Sequence, residues 1–98
     1  MNNYEAAAKE YGTVTFDGRE YALTSQADYT SRLLPGGYTN WIDASKGDAY
    51  DFEMWAWAID KDGNEYTVYW LFEGRKGKDD YELDSYDYSD VARVVERG

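Results

Sequence analysis

The chain contains no cysteine and no histidine, and Pro35 is its single proline. Without cysteine there is no disulfide and no thiolate nucleophile. Without histidine there is no serine–histidine or cysteine–histidine relay. Zinc sites built from those two residue types are excluded as well. What remains is carboxylate, hydroxyl, amine and amide chemistry, and no catalytic or metal-binding motif emerges from it. Long apolar runs are missing too: the longest mostly apolar stretch, 54–59, falls far short of the roughly 20 residues that span a bilayer. The start, Met1-Asn2-Asn3-Tyr4-Glu5, has neither a basic segment nor an apolar stretch behind it, unlike a secretion signal. Absence of cysteine suits a reducing compartment. These features together point to a cytoplasmic protein with no membrane contact and no cofactor.

Acid and aromatic residues are abundant. Twenty acidic and ten basic side chains give a formal charge of -10 over 98 residues. High charge alone would suit a disordered chain, but such chains are poor in aromatics. Here eleven Tyr, four Trp and three Phe supply ample material for a core. The length corresponds to one domain, residues 1–98, able to bury roughly two-thirds of its unfolded surface. The negative charge repels nucleic acid directly and attracts basic partners.

Hydrophobic patterning predicts a mostly β or α+β domain. Asn2 or Asn3 caps a short helix over 4–10, and Gly12 ends it. Thr13-Val14-Thr15-Phe16 and Arg19-Glu20-Tyr21-Ala22-Leu23 alternate polar and apolar around Asp17-Gly18, a strong hairpin signal. That turn pairs Phe16 with Arg19 and places Val14, Phe16, Tyr21 and Leu23 on one face. A helical turn is expected within 25–34, a loop at 34–37, a short strand at 38–42 and a turn at 43–48. Residues 50–59 and 65–73 form a second, longer hairpin around 60–64. Both strands are apolar on both faces, which suits a central position in a sheet. A two-residue turn sets Trp55 and Trp57 beside Val68 and Trp70. A three-residue turn with Gly63 in a bulge sets Ala56 and Ala58 there instead, because one residue of loop length flips the face. In residues 91–96, Val91, Val94 and Val95 fit helical spacing and Val91, Arg93 and Val95 fit strand spacing, and the segment is read as a final strand. The sum is an antiparallel sheet of four to six strands, built from two hairpins, with a short N-terminal helix.

Several candidate sites resolve into structural features. Asp60-Lys61-Asp62-Gly63-Asn64 begins like a calcium loop, but that motif needs Gly at its sixth place and Glu at its twelfth. Glu65 and Leu71 stand there, so the segment reads as a turn. Glu53 and Glu73 are the best-placed pair for acid–base work, yet a small sheet domain offers no evident cleft. Trp41, Trp55, Trp57 and Trp70 read first as core, with one exposed stacking platform as the alternative. The 74–78 loop lacks the spacing of a phosphate-binding loop.

The most unusual stretch is 79–90, which holds Asp79, Asp80, Glu82, Asp84, Asp87 and Asp90 and no base. Tyr81, Tyr86 and Tyr88 are interleaved. In an extended strand, acids two apart lie about 6.6 to 6.8 Å apart, near the phosphate spacing of a nucleic acid. Tyrosine adds rigid contact surface. Asp43, Asp48, Asp51 and Glu53 form a second acidic group that widens the same face. In size, charge and this type of surface the chain resembles the small acidic inhibitors that phages and mobile elements carry against bacterial defences, the anti-CRISPR and antirestriction proteins. The resemblance implies a non-enzymatic DNA mimic inside the bacterial host cell. Its partner would be a basic nucleic-acid-binding protein such as a defence nuclease. The alternative expectation is a small recognition module that binds peptide or carbohydrate through exposed Trp and Tyr, and a third is an assembly protein of a larger particle.

Overall fold

Two β-hairpins and two flanking strands make the sheet. The structure, a computed structural model, describes residues 3–30, 32, 34, 42, 44–75 and 86–97. Helix α1 (Asn3–Tyr11) is followed by strands β1 (Thr13–Phe16), β2 (Arg19–Leu23), β3 (Asp28–Tyr29), β4 (Ala49–Ile59), β5 (Glu65–Arg75) and β6 (Arg93–Glu96). The sheet is antiparallel in the order β1-β2-β4-β5-β6, and β3 pairs with β4 beyond the end of β2. Among the described residues no helix is long and apolar enough to cross a membrane.

The first hairpin has the expected register, with Phe16 opposite Arg19 and Val14 opposite Tyr21. Asp17 and Gly18 both have positive φ, 52° and 77°. Two such residues form the turn whose twist matches paired strands. Val14, Tyr21 and Leu23 are buried in the core, with Phe16 packed against it.

The second hairpin takes the bulged register. Ala56 lies opposite Val68 and Ala58 opposite Tyr66. The loop explains this choice. Gly63 donates its N–H to the Asp60 carbonyl at 3.1 Å and has φ 85°. This is a tight turn followed by a left-handed glycine, where a side chain would be strained. The Asp60 carboxylate accepts from the backbone N–H groups of Asp62 and Asn64, from the Asn64 amide and from the Tyr66 hydroxyl. Those bonds, Asn64's first, hold it below its ordinary pKa. The segment is a hairpin turn, as read from its residues.

Register decides the core. Tyr50, Phe52, Met54, Ala56 and Ala58 of β4 face Tyr66, Val68, Trp70 and Phe72 of β5 on one side of the sheet. Trp70 is fully buried, and its indole N–H donates to the Tyr88 carbonyl at 2.8 Å. Ala56 and Ala58 are also fully buried. Their small side chains accommodate the large neighbours on β5, the alternation of sizes that fills a core without voids. Tyr86 stacks on Phe72 with ring centres 4.8 Å apart, and Tyr88 meets Trp70 edge-on at 5.3 Å.

Helix α1 docks on β2 and buries Ala7. Tyr4 donates its hydroxyl to Glu20. Burial and that bond to a carboxylate push the Tyr4 pKa up to about 12. The helix ends at Gly12, whose N–H bonds the Ala8 carbonyl. The cap expected at Asn2 lies outside the described residues; of the loop expected at 34–37 only Leu34 is described, and of the short strand expected at 38–42 only Ile42, which lies in a turn.

One expectation is corrected. The described part of 25–34 holds strand β3 and no helical turn. Strand β4 has unpaired backbone groups on that side, and the segment supplies their partners: Thr24 N–H bonds the Trp57 carbonyl, Thr30 N–H bonds the Glu53 carbonyl, and Ser25 Oγ accepts from Trp57 N–H. Ladder bonds to a long central strand outweigh the weak local preference for a helix.

The two tryptophans Trp70 and Trp57 sit on opposite faces. Trp70→Ala is expected to cost about 3–5 kcal/mol in urea unfolding, as for a large core truncation. Trp57→Ala, at a position 46% exposed, is expected to cost under about 1 kcal/mol.

Candidate functional site

The face of the sheet away from the core carries the odd-numbered side chains of β4 and β5. Trp55 lies opposite Tyr69, Trp57 opposite Thr67 and Glu53 opposite Leu71. Strand β6 adds Arg93, opposite Tyr69. The result is an open groove of about 310 Å³. Trp55, Trp57 and Tyr69 line it with Thr30 and Thr67, and Arg32, Arg93 and Glu53 supply its charges. The two indoles are tilted against each other with centres 5.5 Å apart. The Arg93 guanidinium lies 4.0 Å from the Tyr69 ring centre, and Arg97 lies 4.6 Å from that of Trp57. Guanidinium stacking on a ring face is favourable and holds both partners in place.

Glu53 anchors this groove. It is buried on a face that is otherwise partly open. Arg32 grips it with both prongs, Nε to Oε1 at 2.6 Å and Nη2 to Oε2 at 2.7 Å. Arg93 approaches the same carboxylate at 3.6 Å. Burial alone would raise the Glu53 pKa. The hydrogen bonds from Arg32 and Thr30, and the charges of Arg32 and Arg93, outweigh it and hold the group below the ordinary carboxylate range. Glu53 is therefore ionised, a fixed counter-charge held by hydrogen bonds from Arg32 and Thr30. Two residues along the same strand face, Asp51 behaves in the opposite way. It stands opposite Glu73, and burial together with the Glu73 charge raises its pKa. Glu73 pairs with Asp51 across the sheet, so Glu53 and Glu73 are not a facing acid–base pair.

The residues singled out in the acidic stretch fare differently. Asp79, Asp80, Tyr81, Glu82 and Asp84 lie outside the described residues, as do Asp43 and Trp41. Tyr86 and Tyr88 turn their rings onto Phe52, Phe72 and Trp70. They belong to the core edge, where burying a ring is worth more than displaying it. At its described end the acidic stretch is a turn, with Asp90 N–H on the Asp87 carbonyl, so the spacing of acids along an extended strand does not apply there. Asp87 accepts from the N–H and hydroxyl of Ser89, which lower its pKa. Asp48 closes another turn by accepting the Ser45 N–H at 3.0 Å. Asp90 is exposed. Glu53, assigned to the acidic surface from sequence, is instead buried in ion pairs with arginine.

No protein-family model, curated protein or solved structure matches the chain. The functional reading therefore rests on its own geometry. Among the described residues no group of three or more acidic side chains is arranged to hold a metal ion. A second hollow, about 460 Å³ near Tyr11 and Ser25, brings one carboxylate, Glu10, and no cation. The aromatic–arginine groove is the more chemically equipped of the two.

Sequence reading alone missed Arg32, Arg93 and Arg97. The signal was present as parity: once β6 pairs with β5, residues 93 and 97 fall on the same face as Thr67 and Tyr69. Arg32 has no comparable signal, because its segment has no periodicity.

The Arg32–Glu53 pair should be asymmetric. Arg32→Ala strands a buried carboxylate and is expected to cost about 2–3 kcal/mol. Glu53→Gln leaves arginines that are 44% and 47% exposed and that water can solvate, so about 1 kcal/mol is expected. The folded Glu53 pKa is lowered, so its stabilisation is present above the unfolded carboxylate pKa and is lost as pH falls through the folded value. Urea unfolding from pH 7 to pH 3 should show a shallower loss in Glu53→Gln than in the parent.

Asp51 has the reverse sign. Its raised pKa means that the charged form destabilises the fold, and relief comes as pH falls through that pKa. Asp51→Asn is expected to stabilise by about 0.2–1 kcal/mol at pH 7, with the gain disappearing once the carboxylates are protonated.

Proposed function

We propose that the protein is a non-enzymatic recognition module whose binding surface is the groove formed by Trp55, Trp57 and Tyr69 with Arg93. The observation that carries this reading is the placement of two tryptophans and a tyrosine on the open sheet face, with arginines stacked over Tyr69 and Trp57. Trp, Tyr and Arg are the residue types that dominate binding hot spots. A fold that needed these rings only for stability would turn them inward, as it does Trp70. Rigid strands also position the rings more firmly than loops would.

A second reading, an acidic inhibitor that docks on a basic nucleic-acid-binding protein of bacterial defence, draws support from a different observation. Asp51 and Glu73 face each other across β4 and β5 with the Asp51 pKa raised. Like charges held opposite cost stability, and a cationic partner would relieve that cost. The sequence's overall charge favours the same kind of partner.

Immobilised protein exposed to bacterial lysate separates the two. Under the first reading, Trp57→Ala loses a retained partner at least tenfold while costing under about 1 kcal/mol in stability, and binding depends weakly on salt. A partner that survives Trp57→Ala but is lost at high salt and in Asp51→Asn/Glu73→Gln would overturn the first reading in favour of the second.

A further inference from the structure

The groove has an imbalance of hydrogen-bonding groups that names its ligand class. This inference rests on the reading of the groove as the binding surface. The groove's one carboxylate, Glu53, is engaged by hydrogen bonds from Arg32 and Thr30. Donors are in excess. A guanidinium carries five N–H groups, and Arg32 directs two atoms to Glu53. Arg93 has only a long 3.6 Å contact with that carboxylate, while its flat face rests on Tyr69 and 47% of its side chain remains exposed. Two arginines against one carboxylate leave the lining with a net positive charge inside a chain of net charge -10. Asp28 stands opposite Trp55 on β3, outside the lining, and accepts the N–H of Tyr29.

A ligand for this groove must bring acceptors and negative charge together with an apolar body for the indoles. A neutral sugar brings hydroxyls that need acceptors as well as donors, and the groove has no spare carboxylate for them. A nucleic acid brings charge along its whole length and meets repulsion from the rest of the acidic chain. Ligand pockets bury most of a small molecule and start near 300 Å³. This groove is at that lower limit and is open, with Trp57 46% exposed. A protruding side chain, backed by a larger partner that completes the burial, fits it better than a free small molecule.

We infer that the groove binds an acidic peptide segment of a partner protein. One Asp or Glu carboxylate meets the Arg93 guanidinium edge, and a neighbouring aromatic or aliphatic side chain lies on Trp55 and Trp57.

The test is selection of random seven-residue peptides on the immobilised full chain, followed by NMR titration of the selected peptide and its acid-to-amide counterpart. The chain's overall charge favours basic peptides, so enrichment of acidic ones can come only from a local cationic site. The expected result is enrichment of an acid beside an aromatic or aliphatic residue. The acidic peptide should bind at least tenfold tighter than its amide counterpart and shift the indole N–H signals of Trp55 and Trp57. Arg93→Gln should reduce that preference below threefold with amide dispersion unchanged. Enrichment of neutral or basic peptides that still shift those indoles would overturn the acidic ligand and leave the recognition surface standing. Equal binding by 3-phenylpropionate would replace the peptide with a free small acid and so overturn the inference. Equal or tighter binding by maltose would do so in favour of a sugar. Selection that no probe shows to depend on Trp57 would overturn the inference and the proposed function together.

Discussion

The fold depends on the register of one hairpin. Strands β4 and β5 pair over eleven residues each, and all other strands attach to them directly or through β2. Their register is set at a single loop, where Asp60 gathers four hydrogen bonds and Gly63 takes the left-handed conformation. A shift of one residue would turn the partner strand's set of side chains to the other face. Trp70 and Val68 would then share a face with Trp55 and Trp57, and the alanines would pair with the polar set. The loop's carboxylate and glycine thus act at a distance, through side-chain parity, on which rings are core and which are surface.

Parity also explains the division of labour among charged groups. Glu96, at the exposed end of β6, lies opposite Tyr66, while the acids and bases of β4 and β5, with Arg93 of β6, collect on the side away from the core. There, neighbours decide their behaviour. Glu53 finds two arginines and stays ionised although buried, whereas burial and then the charge of Glu73 opposite push Asp51 towards protonation. Two carboxylates on one strand face, two residues apart, acquire opposite shifts. The groove beside Glu53 is consequently a small cationic island on an acidic molecule, while the Asp51 end is an acidic one. A single net charge describes neither.

Much of the architecture was legible in the residues. Asp17-Gly18 specified its hairpin to the register, and Val14, Tyr21 and Leu23 entered the core as their alternation requires. Residues 91–96 fitted helical and strand spacing alike, and the strand reading holds, with β6 forming within them. The long hairpin left two registers open, because both strands carry large apolar side chains on both faces and their period-two signal is weak. Backbone bonding at Gly63, a property of three-dimensional loop geometry, decides between them. Strand β3 was hidden because a two-residue strand has no periodicity and exists only through its bonds to β4. The candidate site was partly legible. Trp55 and Trp57 could be placed on one strand face, but Tyr69 joins them only in one of the two registers, and Arg32 reaches them from a segment with no pattern. Tyr86 and Tyr88 looked like surface residues among acids, yet their rings complete the core edge around Phe72. Local charge did not reveal a long-range packing partner.

The central claim is that Trp55 and Trp57 share the open face with Tyr69 while Trp70 faces the core. Cross-strand NMR contacts between backbone Hα atoms test it directly, because such contacts join the non-hydrogen-bonded pairs of an antiparallel ladder. The bonds at Asp60 and Asn64 make the odd-numbered pairs of β4 and β5 the close ones. The account predicts Hα contacts from Trp55 to Tyr69 and from Trp57 to Thr67. Contacts from Ala56 to Tyr69 and from Ala58 to Thr67, the close pairs of the register with a two-residue Asp62-Gly63 turn, would contradict it.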